Sequence, residues 1–533
     1  MRWNRTARGF FFTDSFNQGC ATMKRNTVKT NSYFRYFVQF AITLILAGCE
    51  TWIENPENGT APDGEGKSFS NGVLGGASWC SDCYPGSENF GDLSFNEFVD
   101  TAVDNLSTFG VDVDNGSYTF GRKKINEGHF PPPESVRVEE YINYFRQDYV
   151  APANAPFSVS VDGAPSPFRG DSLHIVRIGI QGRELSSDER KPWNLTFLVD
   201  ISGSMTTRLE LVKQSLYILV DNMQAGDQIS VCTYAGAVRT VLMPTTLADN
   251  DREGIKGILS DLKAGGSTAM GAGLQNAYNV NMSGFLEDGV NRVIVCSDGD
   301  ANVGATSFED ILELIITYVE QGITLSTLGF GQGNYNDYLM EQLADKGNGN
   351  YYYIGSLNEA RRLFTEELTG VMEVIAKDVK VQVEFNTNEV LRYRLIGYEN
   401  RAIADEDFED ETTDAGEIGA GHRVTALYEL ELWGNGGDNL FIVHLRYKLP
   451  DGVTDIPVDI PVTRSGLAST FSAASSRFRF TVGVAEFAEI LRGSPYVDTS
   501  LEEVESLVSQ SLWGSDDRDV EFLELIRKVQ AID

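Results

Sequence analysis

Between Trp193 and Gly370 the chain alternates apolar runs with amphipathic stretches, and few folds accept that pattern. The runs Trp193–Asp200, Gln228–Ala235, Val238–Pro244, Asn291–Ser297, Ile323–Phe330 and Tyr351–Ile354 read as strands. The stretches Met205–Met223, Arg252–Leu262, Ala269–Val280, Phe308–Glu320, Tyr335–Asp345 and Asn358–Leu368 read as helices. Continuously apolar strands separated by helices predict an α/β fold, a doubly wound and mostly parallel sheet covered on both faces. Only Gly236-Ala237 separates the second run from the third, so one edge strand is expected to be antiparallel. At 533 residues the chain has room for further domains on either side.

The first run ends Asp200-Ile201-Ser202-Gly203-Ser204 and the fourth ends Ser297-Asp298-Gly299. In a doubly wound sheet, ligands bind at the carboxyl ends of the strands, where strand order reverses. An Asp followed by hydroxyls at alternate positions, on a turn eased by Gly, puts hard oxygens on one side of a loop. Asp298 faces the same crevice if its strand lies beside the first. The turn Gly265-Gly266-Ser267-Thr268, ahead of a helix, can deliver Thr268 there. Two carboxylates and three hydroxyls suit a small hard cation, Mg2+ or Mn2+, with a coordination position left open for a partner's carboxylate.

Asp-x-Ser-x-Ser, then a Thr, then Asp-Gly, spread over these strand ends, resembles the metal-ion-dependent adhesion site of von Willebrand factor A domains. The resemblance covers about residues 190–370 and implies a six-stranded sheet. It also implies a metal set of Asp200, Ser202, Ser204, Thr268 and Asp298, and a protein ligand that presents an Asp or Glu carboxylate. A helix N-cap, the ordinary role of Asp and Ser before a helix, would account for the first motif alone but not for Thr268 and Asp298.

Residues 90–192 read as an α+β accessory domain. Phe95, Phe98, Val99, Ala102 and Leu106 have helical spacing, Val111–Gly116 suggests a strand ending in a turn, and Val136–Phe145 suggests a helix. Phe157–Val161 and Leu173–Ile180 alternate as strands do. Residues 371–533 read as a β-rich domain with terminal helices. Its strands are Val379–Phe385, Val424–Leu432 and Leu440–Leu449, and its helices Phe478–Arg492, Leu501–Leu512 and Asp519–Ala531. Thr108–Tyr118, Phe130–Phe145, Leu395–Arg401 and Asp414–His422 look like the flanking domains of a family of bacterial envelope lipoproteins.

The head of the chain differs in charge from its body. Residues 1–48 hold seven Lys and Arg against one Asp, while the whole chain carries a formal charge of −34. Tyr36–Gly48 is an apolar-rich stretch of 13 residues, short of the roughly 20 that span a bilayer. With its basic flank it reads as a secretory signal that starts at Met23. Leu46-Ala47-Gly48-Cys49 resembles the bacterial lipobox, which implies lipidation at Cys49. Residues 49–89, rich in Gly, Ser, Asn and Asp, then form a flexible tether. Cys80 and Cys83 are expected to form a local disulfide, and Cys232 and Cys296 to be buried as small hydrophobes.

Several classes are excluded on the same grounds. The acidity argues against nucleic acid, which needs clustered Lys and Arg. Gly64-Glu65-Gly66-Lys67-Ser68 is no phosphate loop, because Ala61 stands where a Gly is required. Asp298 to Glu309 mimics a calcium loop but has Val303 at the obligatory Gly position. Gly329-Phe330-Gly331-Gln332-Gly333 lacks the last Gly of a dinucleotide fingerprint. The acidic stretch Asp405–Glu417 reads as a solvated loop. Four His residues in no recognisable motif supply no general base, so an enzyme is not expected. The chain is therefore expected to be a lipid-anchored protein of the bacterial cell envelope, periplasmic or surface-exposed, that binds proteins through a divalent metal. An assembly scaffold or chaperone-like factor that binds without metal is the alternative, with a metal-dependent hydrolase behind it.

Overall fold

The structure is a computed structural model. It describes residues 94–532 apart from 112–113, 171, 187, 249–250, 268, 300–306, 332–335, 414, 434–435, 451, 453 and 515. The proposed signal, the lipidated Cys49, the tether and the Cys80–Cys83 pair lie outside the described residues.

The alternating region forms the six-stranded sheet that its pattern demands. Across the sheet the order is Tyr351–Tyr353, Ile323–Gly329, Val290–Ser297, Trp193–Asp200, Gln228–Tyr234 and Arg239–Thr246. The first five are parallel and only the last, at the edge, is antiparallel. Trp193–Asp200 is buried along its whole length, as a central strand covered on both faces must be. One face packs on Val212, Leu216, Leu219, Ile255 and Leu259, the other on Leu274, Tyr278, Ile311, Ile315 and Leu343. Cys232 and Cys296 are both buried and reduced inside these layers.

The flanking segments depart from the expected pair of separate accessory domains. Their strands share both sheets of one sandwich. The first sheet runs Val99–Asp100, Val390–Ile396, Arg423–Leu432, Leu173–Gly182 and Phe157–Pro165, antiparallel throughout. The second runs Gly416–Gly419, Val374–Phe385, Asn439–Lys448 and Ile456–Thr463, and Leu106–Gly110 from the N-terminal segment also pairs with Val374–Phe385. Phe109, Val176 and Ile178 thereby share a core with Val381, Val383, Phe385 and Tyr428. The outer face of the first sheet is covered by helices from both segments, where Tyr141, Tyr144 and Phe145 meet Phe478, Phe480, Phe487 and Phe522.

The six-stranded domain is thus an insertion into a sandwich that closes only when the chain returns. Its entry and exit are tied at one point. Glu373 Oε1 accepts hydrogen bonds from Trp193 Nε1 and from the Lys191 backbone N–H, both at 3.0 Å.

Phe95–Leu106 is not the helix its spacing suggests. Val99 and Asp100 pair with Tyr393 and Arg392, and the Thr101 hydroxyl donates to Val390 O at 2.6 Å. Phe98 lies under the Arg392 guanidinium and against the Tyr496 ring, so partners some 300 residues away satisfy this segment better than its own backbone turns would. Of the expected strand Val111–Gly116, the described residues 111 and 114–116 lie in no strand, and 112–113 lie outside the described residues. Pairing ends at Gly110, and Gly116 opens the helix Gly116–Asn126. A Cβ on Gly116 would sit 2.2 Å from the Tyr351 ring, so close approach requires glycine there. Among the described residues, besides Val99–Asp100, the strands Leu106–Gly110, Val390–Ile396, Gly416–Gly419 and Ile456–Thr463 escaped the pattern. The last carries Pro457 and Pro461 and is an edge strand, where missing donors are tolerated.

Candidate metal site

The site lies at the carboxyl end of the six-stranded sheet, at its switch point. Trp193–Asp200 pairs with Val290–Ser297 on one side and with Gln228–Tyr234 on the other, so the chain leaves the first strand in one direction and returns in the other. The parallel register sets Val199 against Cys296, which brings the loop after Asp200 beside the loop after Ser297.

Asp200 ends its strand fully buried, and Asp298 is 1% exposed. Asp200 Oδ1 accepts the Ser202 backbone N–H at 2.8 Å, and Oδ2 accepts the Ser297 hydroxyl at 3.1 Å. The loop then doubles back, so the Ser202 and Ser204 hydroxyls stand 3.0 Å apart. After Asp298 the chain turns through Gly299 at φ 71°, a conformation that favours glycine. A Cβ at Gly299 would also press on the Asn336 backbone at 2.7 Å.

The third loop is pinned to the first by two backbone hydrogen bonds. The Gly203 N–H donates to Gly266 O at 3.1 Å and the Gly265 N–H to Ile201 O at 2.7 Å. These bonds hold the 265–267 turn against the Asp200 loop. Thr268 itself lies outside the described residues. Of the five expected ligands the structure therefore brings Asp200, Ser202, Ser204 and Asp298 together.

Electrostatics set the character of the site. Burial raises the Asp200 pKa from its ordinary value, and the neighbouring Asp298 charge pushes the same way. Hydrogen bonds from Ser202 and Ser297 offset part of that shift. Two buried carboxylates at one strand edge call for a positive charge, and the chain supplies one that the sequence reading missed. Arg208 Nη1 donates to Asp298 Oδ2 at 2.5 Å and to Ser204 O at 3.0 Å. Its trace in the sequence is only a cation four residues after Ser204, at a helix start. The buried Tyr234 ring, whose hydroxyl is pushed up by burial and then by the Asp200 charge, closes the floor.

The donor set fits a small hard cation. It is all oxygen, it holds two carboxylates against two hydroxyls, and a guanidinium already stands on one carboxylate as a cation would. Asp298 starts no calcium loop: a strand precedes it, where such a loop needs a helix. The acidic stretch from Asp405 is held by cations of the chain itself. Lys380 Nζ donates to Asp410 O at 2.5 Å, Lys448 Nζ to Glu411 O at 2.6 Å, and Arg446 pairs with Glu409 at 2.7 Å.

The matching family models place the same domains along the chain. Residues 194–366 match the family model for the von Willebrand factor type A domain, and residues 84–177 match one described as von Willebrand factor. Residues 370–439 and 431–532 match the model described as "Uncharacterized protein YfbK, C-terminal". Uncharacterized protein YfbK of Escherichia coli K12 is 36% identical over 480 residues, which covers 84% of this chain and 82% of the relative. Inter-alpha-trypsin inhibitor heavy chain H3 of Homo sapiens is 26% identical over 266 residues, covering 45% of this chain and 29% of the relative. Among solved structures, a von Willebrand factor type A protein from Catenulispora acidiphila superposes with a TM-score of 0.43 at 16% identity, covering 72% of this chain and 91% of that one.

Proposed function

The chain belongs to the family of the Escherichia coli protein YfbK, and on that premise we propose that it binds a protein partner through a divalent cation held by its von Willebrand A domain. The observation that carries this reading is the convergence of Asp200, Ser202, Ser204 and Asp298 on three loops' worth of backbone fixed by hydrogen bonds at the switch point. In this reading those four residues, with Thr268, hold Mg2+ or Mn2+, and the ion offers a coordination position to an Asp or Glu of the partner.

The chain's own residues prepare that contact. The Ser297 hydroxyl and the Ser202 N–H fix both Asp200 oxygens, so the carboxylate loses no orientational freedom when it engages. Burial of both aspartates keeps bulk water from screening the charge they present. In this reading the sandwich serves as the mount from which the inserted domain is presented, tied to it where Glu373 meets Lys191 and Trp193. Lipidation at Cys49 and a tether over residues 49–89 would display that domain at the bacterial cell envelope.

Affinity capture from envelope extract tests the reading, with wild type and Asp200→Ala each in Mg2+ or EDTA. A protein retained only by wild type with Mg2+ supports it. Equal recovery in all four conditions overturns it in favour of a metal-independent scaffold. Cys49→Ala should abolish incorporation of radiolabelled fatty acid; unchanged labelling would contradict the anchor.

A further inference from the structure

Arg208 stands where it must respond to any cation that enters the site. It is the residue just ahead of the helix Leu209–Asn222, and it closes the short turn that carries Ser204. Its side chain is 15% exposed, against 2% for the Asp298 side chain it contacts. The same Nη1 that donates to Asp298 Oδ2 also donates to Ser204 O, so the guanidinium bridges two of the loops that form the site. A cation and this guanidinium therefore draw on the same carboxylate.

We infer that Arg208 is the resident counter-ion of the metal-free site and the residue that sets how tightly the site takes a divalent cation. This rests on the metal reading above. Without metal, Arg208 neutralises Asp298, which lies buried beside an equally buried Asp200, and it ties the 204 loop to the 298 loop. With metal, its positive charge stands against that of the ion, and Asp298 must give up or share its bond to the guanidinium. Removing the charge then has opposite consequences in the two states. The metal-free protein loses a cation that bonds Asp298 and becomes less stable, while the metal meets less repulsion and binds more tightly. A residue that merely packed the loop would lower stability equally with and without metal.

The test is Mn2+ titration by isothermal calorimetry, with thermal unfolding in EDTA and in saturating Mg2+, on wild type, Arg208→Gln, Arg208→Lys and Asp200→Ala. Arg208→Gln should bind Mn2+ at least about tenfold more tightly than wild type. It should melt lower in EDTA, and that deficit should close in Mg2+. Arg208→Lys, which keeps the charge, should stay near wild type. Binding by wild type but not by Asp200→Ala, with equal or weaker binding by Arg208→Gln, overturns the role of Arg208 and leaves the metal site standing. Absence of Mn2+ binding in every variant overturns both.

Discussion

The inserted domain and the sandwich that carries it solve the same packing problem with opposite economies of sequence. In the inserted domain most strands adjacent in space are also consecutive in the chain, as Trp193–Asp200 and Gln228–Tyr234 are through one helix, and the switch-point pair of Trp193–Asp200 with Val290–Ser297 is the exception. In the sandwich, Val99 pairs with Tyr393, Leu106 with Glu384, and Ile178 with Ala426. The first kind of region can close its core from one contiguous stretch. The second must hold two ends of the chain together across a whole domain, and it does so with buried charge as well as apolar surface. Arg394, 1% exposed, bonds Glu429 at 2.7 Å and Glu489 at 3.0 Å, and Arg477 bonds Asp519 at 2.8 Å. The two aspartates of the candidate site sit in the local, self-contained region, to which the non-local region is joined at both ends.

The sharpest way to break this comparison is to cut the chain. A fragment of residues 190–372 should fold alone, whereas residues 371–533 alone should remain unfolded, because Leu106–Gly110, Phe157–Pro165 and Leu173–Gly182 complete its sheets. Circular dichroism and dispersion of amide proton resonances check both; a folded 371–533 fragment would contradict the shared sandwich. Next in size is Arg394→Met. It leaves Glu429 and Glu489 buried without that cation and should cost about 3–5 kcal/mol in urea unfolding, while a change under about 1 kcal/mol would mean the network is not structural.

A smaller, pH-dependent effect belongs to the seam where the two regions meet. His422 packs on Gly370, and burial, then Arg423 and Arg292, lower its pKa to about 4. The imidazole is neutral in the fold and takes a proton more readily in the unfolded chain. Its contribution is therefore full above about pH 6.5 and is lost as pH falls towards 4, about 3 kcal/mol in all. His422→Gln should flatten that part of the stability profile; an unchanged slope would assign the pH dependence elsewhere. Smallest of all is Asp200→Ala in EDTA, expected within about 1 kcal/mol of wild type, since it removes a carboxylate whose burial already disfavours its charge. A large loss there would make Asp200 part of the fold rather than of the site.

The same contrast governs how much could be read from residues alone. In the inserted domain the six described strands and the helices before Leu368 are legible within a few residues, because continuous apolar runs and helical spacing coincide with what packs beside them. Asp200, Ser202, Ser204 and Asp298 are legible because each motif ends a recognisable strand. Arg208 was not, since a cation at a helix start looks like ordinary surface until the fold puts Asp298 against it. In the sandwich, Phe95–Leu106 shows helical spacing but is drawn out by partners on a strand that the sequence does not announce. Val390–Ile396 is that strand. It carries Arg392 and Arg394 among its apolar positions, which masks its alternation until Glu431, Glu429 and Glu489 are seen to pair with them.

The central claim is that Asp200, Ser202, Ser204 and Asp298 hold a divalent cation, and anomalous diffraction from crystals grown with Mn2+ tests it most directly. The account predicts one strong peak between the Asp200 and Asp298 loops, with Thr268 reaching it and the Arg208 guanidinium drawn off Asp298. Full Mn2+ occupancy elsewhere, with Arg208 still on Asp298 and no peak in this crevice, would contradict it.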